Sequence, residues 1–387
     1  MKSIGTLVLG LLCSGLFAQF NPEKPELCQG RFYSPEEAQD VLAAAARLYG
    51  DSETWETRAA SLRAGILAGA EISKMRDPKP LQPVIHSKKT AAGYTVENVF
   101  FESIPGFYVT GNLYRPLHPP SSMPGILCPH GHGNDGRLQE YTQQRCATLA
   151  RMGATVFAYD MIGMGDSHQC DHKIDKAFKL QLLNSIRALD FISSLPGVDT
   201  SRLAVTGESG GGTQTFMLAA VDDRIDVAVP VVMVSAYFFG GCVCESGMPV
   251  HKRPGQQTTN AEIAATIAPR PLLLISDGDD WTAHNPDLEY PFIRHIYAYY
   301  GATDQIENVH FADEKHDYGP TKRQAAYRFL GKHLQLDLEG VSTNGIIDET
   351  PNHIYAPEEL AVFTREYPLP ANALHGNEQV MQVLDAF

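Results

Sequence analysis

The spacing of apolar residues divides the chain into an N-terminal helical part and a longer part in which strands and helices alternate. Residues 34–48 begin with an N-cap serine, a proline and a capping-box glutamate, which predicts a helix. Residues 53–72 carry apolar side chains at spacings near three and four and predict a second helix. From residue 94 the period becomes that of strands, and Pro105 and Gly106 mark the turn of a predicted hairpin.

Beyond the hairpin, short apolar runs alternate with helical patterns. The predicted strands are 94–102, 107–114, 125–129, 155–159, 203–206, 227–234, 272–275 and 305–311. The predicted helices are 138–152, 175–193, 212–220, 261–267, 291–300 and 322–334. This alternation predicts an α/β fold, a mostly parallel central sheet with helices on both faces.

The motif at 207–211, Gly-Glu-Ser-Gly-Gly, lies between a predicted strand and a predicted helix. Strand, sharp turn and helix form the context of a nucleophile elbow, where a serine occupies a strained tip and small residues are needed close to it. Ser209 is therefore the predicted nucleophile, with Gly207 and Gly211 as the small residues. The alternative is an ordinary glycine-rich turn that holds a phosphate on its backbone N–H groups.

An elbow serine needs a base, and in the α/β-hydrolase fold the chain order is serine, acid, histidine. His316 follows the strand predicted at 305–311 and precedes the last helix of the domain, so it is the predicted base.

The acid is expected in the loop after the preceding strand. Asp280 is the first choice because it lies furthest along the turn, and Asp279 is the second. Glu245, in the loop after the strand at 227–234, is a third possibility because the acid of this fold also comes from that position. Trp281 follows Asp280, and its ring is expected to shield the site.

An acyl-transfer site also needs backbone donors for the oxyanion. The N–H of Gly210, directly after the nucleophile, is the first predicted donor. The strand predicted at 125–129 runs into Pro-His-Gly-His-Gly, a glycine-flanked turn that leaves N–H groups free, so the N–H of His132 is the second.

The loop 236–260 is long and contains aromatic residues, Glu245, His251 and Arg253. Loops of this length are commonly functional, which favours a role in shaping the substrate pocket. The alternative is a surface excursion pinned by a disulfide.

Charge and targeting signals narrow the class of partner. The formal net charge of -14 argues against binding to nucleic acid or to an anionic membrane, because both require a basic face on the protein.

Residues 1–18 combine a lysine, an apolar run and a terminal alanine, which predicts a signal peptide and export. No later run is apolar enough to predict a membrane anchor.

Six cysteines lie beyond the predicted signal peptide, so export makes disulfides possible. Cys242 and Cys244 are too close to pair easily with each other, and one of them is expected to reach Cys170 or Cys146.

No metal and no cofactor are predicted. The Cys-x-Cys pair, Cys242 and Cys244, has no second pair or histidine near it in the chain, and zinc spacing is therefore missing. His130 and His132 likewise lack a third ligand nearby.

The His-Gly-His-Gly loop, the segment 159–167, the elbow, the segment 278–282 and the segment 316–320 together resemble secreted bacterial α/β-hydrolases of the acetyl-xylan-esterase-like and dienelactone-hydrolase-like group. The resemblance implies a carbohydrate esterase and extends over about residues 94–336. The chain departs from the cephalosporin-deacetylase type, which has glutamine where Gly210 stands. Some relatives instead remove methyl groups from uronic acids, and Arg253 or His251 would then bind a neighbouring carboxylate.

The resulting prediction is a secreted serine carboxylesterase that deacetylates a polysaccharide or oligosaccharide through an acyl-enzyme. The alternatives are a methyl esterase on uronic-acid polymers and a serine peptidase. The predicted segments are a signal peptide at 1–18, a helical extension at 19–93, the α/β-hydrolase domain at 94–336, and a tail at 337–387. The aromatic residues of the tail indicate that it packs on the domain, and disorder is the alternative.

Overall fold

A nine-stranded sheet forms the centre of the computed structural model, which describes residues 22–72 and 80–386. Its strands are β1 Val84–Ala91, β2 Tyr94–Ile104, β3 Phe107–Pro116, β4 Met123–Cys128, β5 Thr155–Tyr159, β6 Val198–Glu208, β7 Val227–Val231, β8 Leu272–Asp277 and β9 Ile306–Phe311. Their order across the sheet is β1-β2-β3-β5-β4-β6-β7-β8-β9. The first four strands in this order are joined by three antiparallel pairings, and the five remaining pairings are parallel. The predicted α/β-hydrolase architecture is therefore confirmed.

Helices cover both faces of this sheet. They are α1 Pro35–Ala45, α2 Ser52–Gly69, α3 Glu140–Arg151, α4 Ala177–Ser194, α5 Gly210–Val221, α6 Val243–Ser246, α7 Asn260–Ala265, α8 Glu289–Ala298, α9 Pro320–Leu334 and α10 Gly376–Ala386. Single 3-10 turns occur at Ala46–Leu48, Gly136–Leu138 and Pro357–Glu359. Two small ribbons pair Lys252–Arg253 with Gln256–Gln257 and Ser342–Thr343 with Ile346–Ile347.

Four of the parallel strands consist entirely of buried residues, and the fifth central one, β6, is buried over its second half. Every residue of β4, β5, β7 and β8 is buried. This explains why these strands are continuous apolar runs in the sequence, since helices exclude water from both of their faces.

Strand β1 is the main element that the sequence pattern did not predict. It lies in the stretch 19–93 that was assigned to a helical extension, yet it pairs antiparallel with β2. It is an edge strand with a register shift between His86 and Lys89, and Ser87 has a positive φ of 53°. Polar residues and an irregular register are typical of an exposed edge strand. They also remove the strict alternation of apolar and polar residues from which a strand is predicted.

The N-terminal helices pack on the same core as the sheet. Both begin with a capping box, from Ser34 in α1 and from Asp51 in α2. Trp55 and Leu62 of α2 are fully buried in the core cluster. A Cβ on Gly69 would lie 2.5 Å from the carbonyl oxygen of Pro249, so α2 needs a glycine there to approach the loop 236–260 this closely.

The C-terminal tail also packs on the domain. Leu360 and Val362 are fully buried, and the carbonyl oxygen of Ala361 accepts a hydrogen bond of 2.7 Å from Asn98 of β2. The tail ends in α10, which was not predicted and whose Val380 and Leu384 are buried.

The predicted signal peptide lies outside the described residues. Within 22–72 and 80–386, no helix has both the length and the apolar character needed to cross a membrane.

We expect the tail to contribute to the stability of the whole domain. Replacing Leu360, which is 0 % exposed, by alanine should lower the free energy of unfolding by about 2–5 kcal/mol, because a buried leucine leaves a cavity. Ile346→Ala is the control, since Ile346 is 60 % exposed and its loss should cost less than about 0.5 kcal/mol. Equal stabilities of the two variants in a urea titration would contradict the packing argument.

Candidate active site

Ser209 has the strained backbone conformation of a nucleophile elbow. It lies between the end of β6 and the start of α5, with φ 55° and ψ -121°. A Cβ on Gly207 would lie 2.5 Å from the carbonyl oxygen of Pro129, and one on Gly211 would lie 2.8 Å from the same atom. Both positions therefore require glycine, as the motif predicted.

Asp280 and His316 form a direct pair. His316 Nδ1 lies 2.6 Å from Asp280 Oδ2, and the other carboxylate oxygen of Asp280 accepts hydrogen bonds of 2.5 and 2.6 Å from the N–H and hydroxyl of Thr282. With Nδ1–H donating to the carboxylate, Nε2 is left as the proton acceptor of the ring. The Trp281 ring lies against His316, with a centroid separation of 4.7 Å.

The sheet topology brings these residues to one edge. Strands β6, β7, β8 and β9 are consecutive parallel neighbours. Ser209 follows β6, Asp280 follows β8 and His316 follows β9, so all three lie beyond the carboxyl ends of strands on the same side of the sheet, where open α/β sheets bind their ligands.

The two alternative acids have other positions. Asp279 is exposed, and its N–H donates to Asp277. Glu245 is buried at α6, where it accepts a hydrogen bond of 3.0 Å from the N–H of Cys242. Asp280 is thus the carboxylate that contacts His316.

A buried lysine fixes the loop that carries His316. Lys322 of α9 forms ion pairs with Asp317 at 2.9 Å and with Asp277 at 3.2 Å, and it also donates to the carbonyl oxygen of Lys315. The ammonium group thereby connects Lys315 and Asp317, the residues on either side of His316, to Asp277 at the end of β8. The sequence offered no signal for this contact, because a lysine in a surface-type helix is normally solvated.

The carboxylate of Glu208 binds the backbone of the predicted oxyanion loop. One carboxylate oxygen of Glu208 accepts hydrogen bonds from the N–H of Gly131 at 2.6 Å and from Tyr141 at 2.9 Å, while the other pairs with Arg145 at 3.0 Å. His130, which had been considered with His132 as a metal ligand, instead accepts a 2.9 Å hydrogen bond from the N–H of Met161. The turn is therefore bound to two other segments, to the Glu208 side chain at the end of β6 and to the backbone after β5.

The ring of His132 lies against Gly210, the residue that follows the predicted nucleophile. A Cβ on Gly210 would lie 2.8 Å from Cε1 of the His132 ring. Gly210 is the first residue of α5, and the first N–H groups of a helix have no intrahelical partner. The two residues predicted to donate to an oxyanion are thus adjacent in space.

Two of the residues predicted to bind substrate have structural positions instead. His251 is 1 % exposed and its Nε2 lies 2.7 Å from Asn260 Oδ1, so it is not accessible to a substrate. Arg253 donates a 3.2 Å hydrogen bond to the carbonyl oxygen of Gly65 in α2. The prediction that His251 binds a carboxylate is therefore wrong, because its ring is buried inside the loop 236–260. Arg253 is half-buried and connects this loop to α2.

Trp281, whose ring was expected to shield the site, lies beside His316. Its ring stacks on Phe238 with a centroid separation of 3.9 Å and an interplanar angle of 17°. Phe238 comes from the loop 236–260, so this loop contributes an aromatic surface next to His316.

The expected disulfide is absent: all six cysteines among the described residues are free. Cys242 and Cys244 instead form a group with His132 and His172, whose ligand-type atoms all lie within 4.8 Å of one another. The Cys-x-Cys pair thus has two histidines beside it in space, although no histidine lies near it in the chain. Hydrogen bonds from Cys244, and then from His132 and His172, outweigh burial and lower the pKa of Cys242 to about 2.

Comparison with known proteins agrees with this geometry. The family model of the acetyl xylan esterases (AXE1) matches residues 171–238. A candidate hydrolase of Bacillus subtilis (strain 168), YtaP, is 27% identical over 260 residues, which cover 60% of this chain and 84% of YtaP. A glucuronoyl esterase from Solibacter usitatus shares the fold, at 15% identity and a TM-score of 0.55 over 73% of this chain and 94% of that one.

The solved structure of methylesterase BT1017 is much more similar. It superposes with a TM-score of 0.84 and 37% identity, over 95% of this chain and 80% of that chain. The protein is thus an esterase of the α/β-hydrolase fold. More specifically, it belongs to the family that includes methylesterase BT1017.

The buried position of His251 predicts a pH dependence of stability. Burial lowers the pKa of His251 to about 4, against the opposing effect of its hydrogen bond to Asn260. Between pH 6.5 and 4 the unfolded chain therefore binds a proton that the folded chain does not, and stability falls with decreasing pH by up to about 3 kcal/mol. In His251→Gln this part of the slope should disappear, with the KM for ester substrates unchanged.

Thermal unfolding of both proteins between pH 4 and 7 measures this effect. His168→Gln is the control, because His168 is exposed and the variant should keep the wild-type slope. A raised KM in His251→Gln with an unaltered acid slope would restore the substrate-binding role.

Proposed function

We propose that the protein is a serine esterase in which Ser209, His316 and Asp280 form the catalytic triad. The observation that carries this proposal is the 2.6 Å contact between His316 and Asp280 on the same sheet edge as the strained Ser209. A serine hydroxyl is a weak nucleophile unless a base removes its proton, and an imidazole oriented by a carboxylate is such a base.

In the proposed reaction, the Ser209 oxygen attacks the ester carbonyl carbon while His316 Nε2 takes the hydroxyl proton. Asp280 keeps the proton on Nδ1 and stabilises the imidazolium. The tetrahedral oxyanion is stabilised by the N–H groups of Gly210 and His132. When it collapses, the C–O bond to the alcohol breaks and His316 returns the proton to the leaving oxygen. Water then adds to the acyl-enzyme by the same route and releases the acid.

Replacing members of the proposed triad tests this mechanism. Ser209→Ala should lower kcat on p-nitrophenyl acetate by about a millionfold, and Asp280→Asn by about 10⁴-fold, by analogy with other serine hydrolases. Asp279→Asn is the matched control, since Asp279 is an exposed neighbour in the same turn and should retain nearly full activity. If Asp279→Asn loses activity and Asp280→Asn keeps it, the acid has been assigned to the wrong residue.

For the substrate, we favour the methyl ester of a sugar acid in a polysaccharide. The similarity to methylesterase BT1017 over nearly the whole chain supports this choice. Trp281, half-buried beside His316 and held by stacking on the buried Phe238, is an aromatic side chain of the kind that contacts a sugar ring.

A cation near these aromatic side chains supports the same substrate class. Arg31 is exposed, pairs with Phe238 through a β-bridge, and places its guanidinium 5.8 Å from the centre of the Tyr237 ring. Next to a methyl-esterified residue, an already free uronate would present a carboxylate to such a group. Arg31 thus replaces Arg253 and His251 as the proposed carboxylate-binding residue.

An acetyl ester is the second candidate, supported by the match of residues 171–238 to the acetyl xylan esterase model. A polysaccharide substrate of either kind lies outside the cell, which agrees with the signal peptide proposed at residues 1–18. We therefore propose that the mature enzyme is exported.

A release assay separates the two substrates. With methyl-esterified polyuronates and acetylated xylans offered in parallel, we expect methanol from the former at least tenfold faster than acetate from the latter. The Ser209→Ala variant is the blank. Faster acetate release would favour the second candidate, while release of neither by an enzyme active on p-nitrophenyl acetate would remove both.

A further inference from the structure

We propose that His132, His172, Cys242 and Cys244 form a binding site for a tetrahedral transition-metal ion of the zinc class. Their ligand-type atoms lie within 4.8 Å of one another, and they come from three separate segments of the chain. The site has the Cys2His2 composition that structural zinc sites use.

The separations between ligand atoms fit a metal at the centre. His132 Nε2 lies 3.3 Å from Cys244 Sγ, and His172 Nε2 lies 3.2 Å from Cys242 Sγ. With Zn–N near 2.0 Å and Zn–S near 2.3 Å, tetrahedral ligands are about 3.3–3.8 Å apart. The other pairs all lie within 4.8 Å, so a small inward movement of the side chains brings the set to tetrahedral distances.

The orientation of His172 is the second observation that points to a ligand. Its Nδ1 lies 2.7 Å from the carbonyl oxygen of Ile162, so Nδ1 carries the proton and donates it. Nε2 then presents its lone pair to the cluster. Metal-binding histidines are typically held by this kind of hydrogen bond from the other ring nitrogen to a backbone carbonyl.

The ligand set also selects the class of metal. Two thiolates and two imidazoles suit Zn²⁺ and disfavour Mg²⁺ and Ca²⁺, which prefer oxygen ligands. In the metal-bound site both cysteines are thiolates, any proton that they still carry passes to solvent, and the two thiolate charges balance the charge of the ion. Since all four positions are filled by the protein, the site has no open position for a substrate, and its role is structural.

The site would stabilise the loop proposed to form the oxyanion hole. His132 contributes its ring to the cluster, and the same ring lies against Gly210. A bound metal would thus join the loop after β4 to His172, which precedes α4, and to α6 in the loop 236–260. This consequence rests on the proposed function, whereas metal binding itself does not.

Measuring the binding of Co²⁺ and Zn²⁺ to the full chain tests the site independently of enzyme activity. Reduced protein kept anaerobic should bind about one Co²⁺ per chain, with thiolate charge-transfer bands in the near ultraviolet and the intense ligand-field bands of tetrahedral cobalt. Zn²⁺ should displace these bands stoichiometrically. Cys242→Ser and His172→Gln should weaken the metal affinity at least tenfold.

Matched controls lie close by in the chain. Cys170→Ser and His168→Gln change the same residue types near His172 but outside the cluster, and should bind Co²⁺ like the wild type. Ser209→Ala should also bind Co²⁺ normally, which separates this proposal from the esterase mechanism. Removal of the metal by a chelator should lower kcat by up to about 100-fold, as expected for a displaced oxyanion donor, and added Zn²⁺ should restore it.

Reduced wild-type protein without thiolate-to-cobalt bands would overturn the site. So would cluster variants that are folded by circular dichroism and bind Co²⁺ as tightly as the controls. If Co²⁺ binds as expected but its removal leaves kcat unchanged, the metal site stands and its link to the oxyanion loop fails.

Discussion

The buried carboxylate of Glu208 holds together the loops on which the candidate site depends. It precedes Ser209 directly, accepts a hydrogen bond from Gly131 of the oxyanion loop, and pairs with Arg145 of α3. The Arg145 guanidinium lies 4.4 Å from the centre of the Tyr318 ring, two residues beyond His316. The Tyr318 hydroxyl in turn contacts Thr206 of β6 at 2.7 Å. One buried ion pair thus joins the nucleophile strand to the oxyanion loop and the base loop.

Two further buried ion pairs hold loops that leave the carboxyl edge of the sheet. Lys322 and Asp277 hold the loop of His316, and Arg137 and Asp160 hold the segment after β5. Such pairs add little net stability, because desolvation offsets their attraction, but breaking one leaves an uncompensated charge that costs about 3–5 kcal/mol. Their effect is therefore to restrict each loop to one conformation. A reaction that needs donors placed to within a fraction of an ångström benefits from that restriction more than from flexible apolar packing.

The parts of the site that could be predicted from sequence are those that follow from strand order. Ser209, Asp280 and His316 each come directly after a predicted strand, and parallel strands end on the same edge, so chain order alone indicated their proximity. The alternating pattern likewise indicated the α/β-hydrolase fold, apart from the irregular edge strand β1.

Contacts between distant segments could not be predicted in this way. His172 lies 70 residues before Cys242 in the chain, yet the two side chains are in contact, and no local spacing records this. For His251 the error was of the opposite kind. A polar residue in a long loop was predicted to be accessible to substrate, but the loop folds over it and buries it. In both cases the missing information is the path of the loop 236–260, which tertiary contacts with α2 and the N-terminal segment determine.

That path also explains how one loop can serve stability and specificity together. Its first part pairs with the N-terminal segment, through hydrogen bonds such as that from the N–H of Phe32 to the carbonyl oxygen of Tyr237. The same part presents Phe238 to Trp281 beside His316. Its middle part supplies Cys242 and Cys244 next to the ring of His132. The proposed substrate surface and the predicted oxyanion loop are therefore both supported by one continuous segment. Changes in this loop should alter substrate preference and catalytic rate together, while the pair of Asp280 and His316, held by other elements, stays intact.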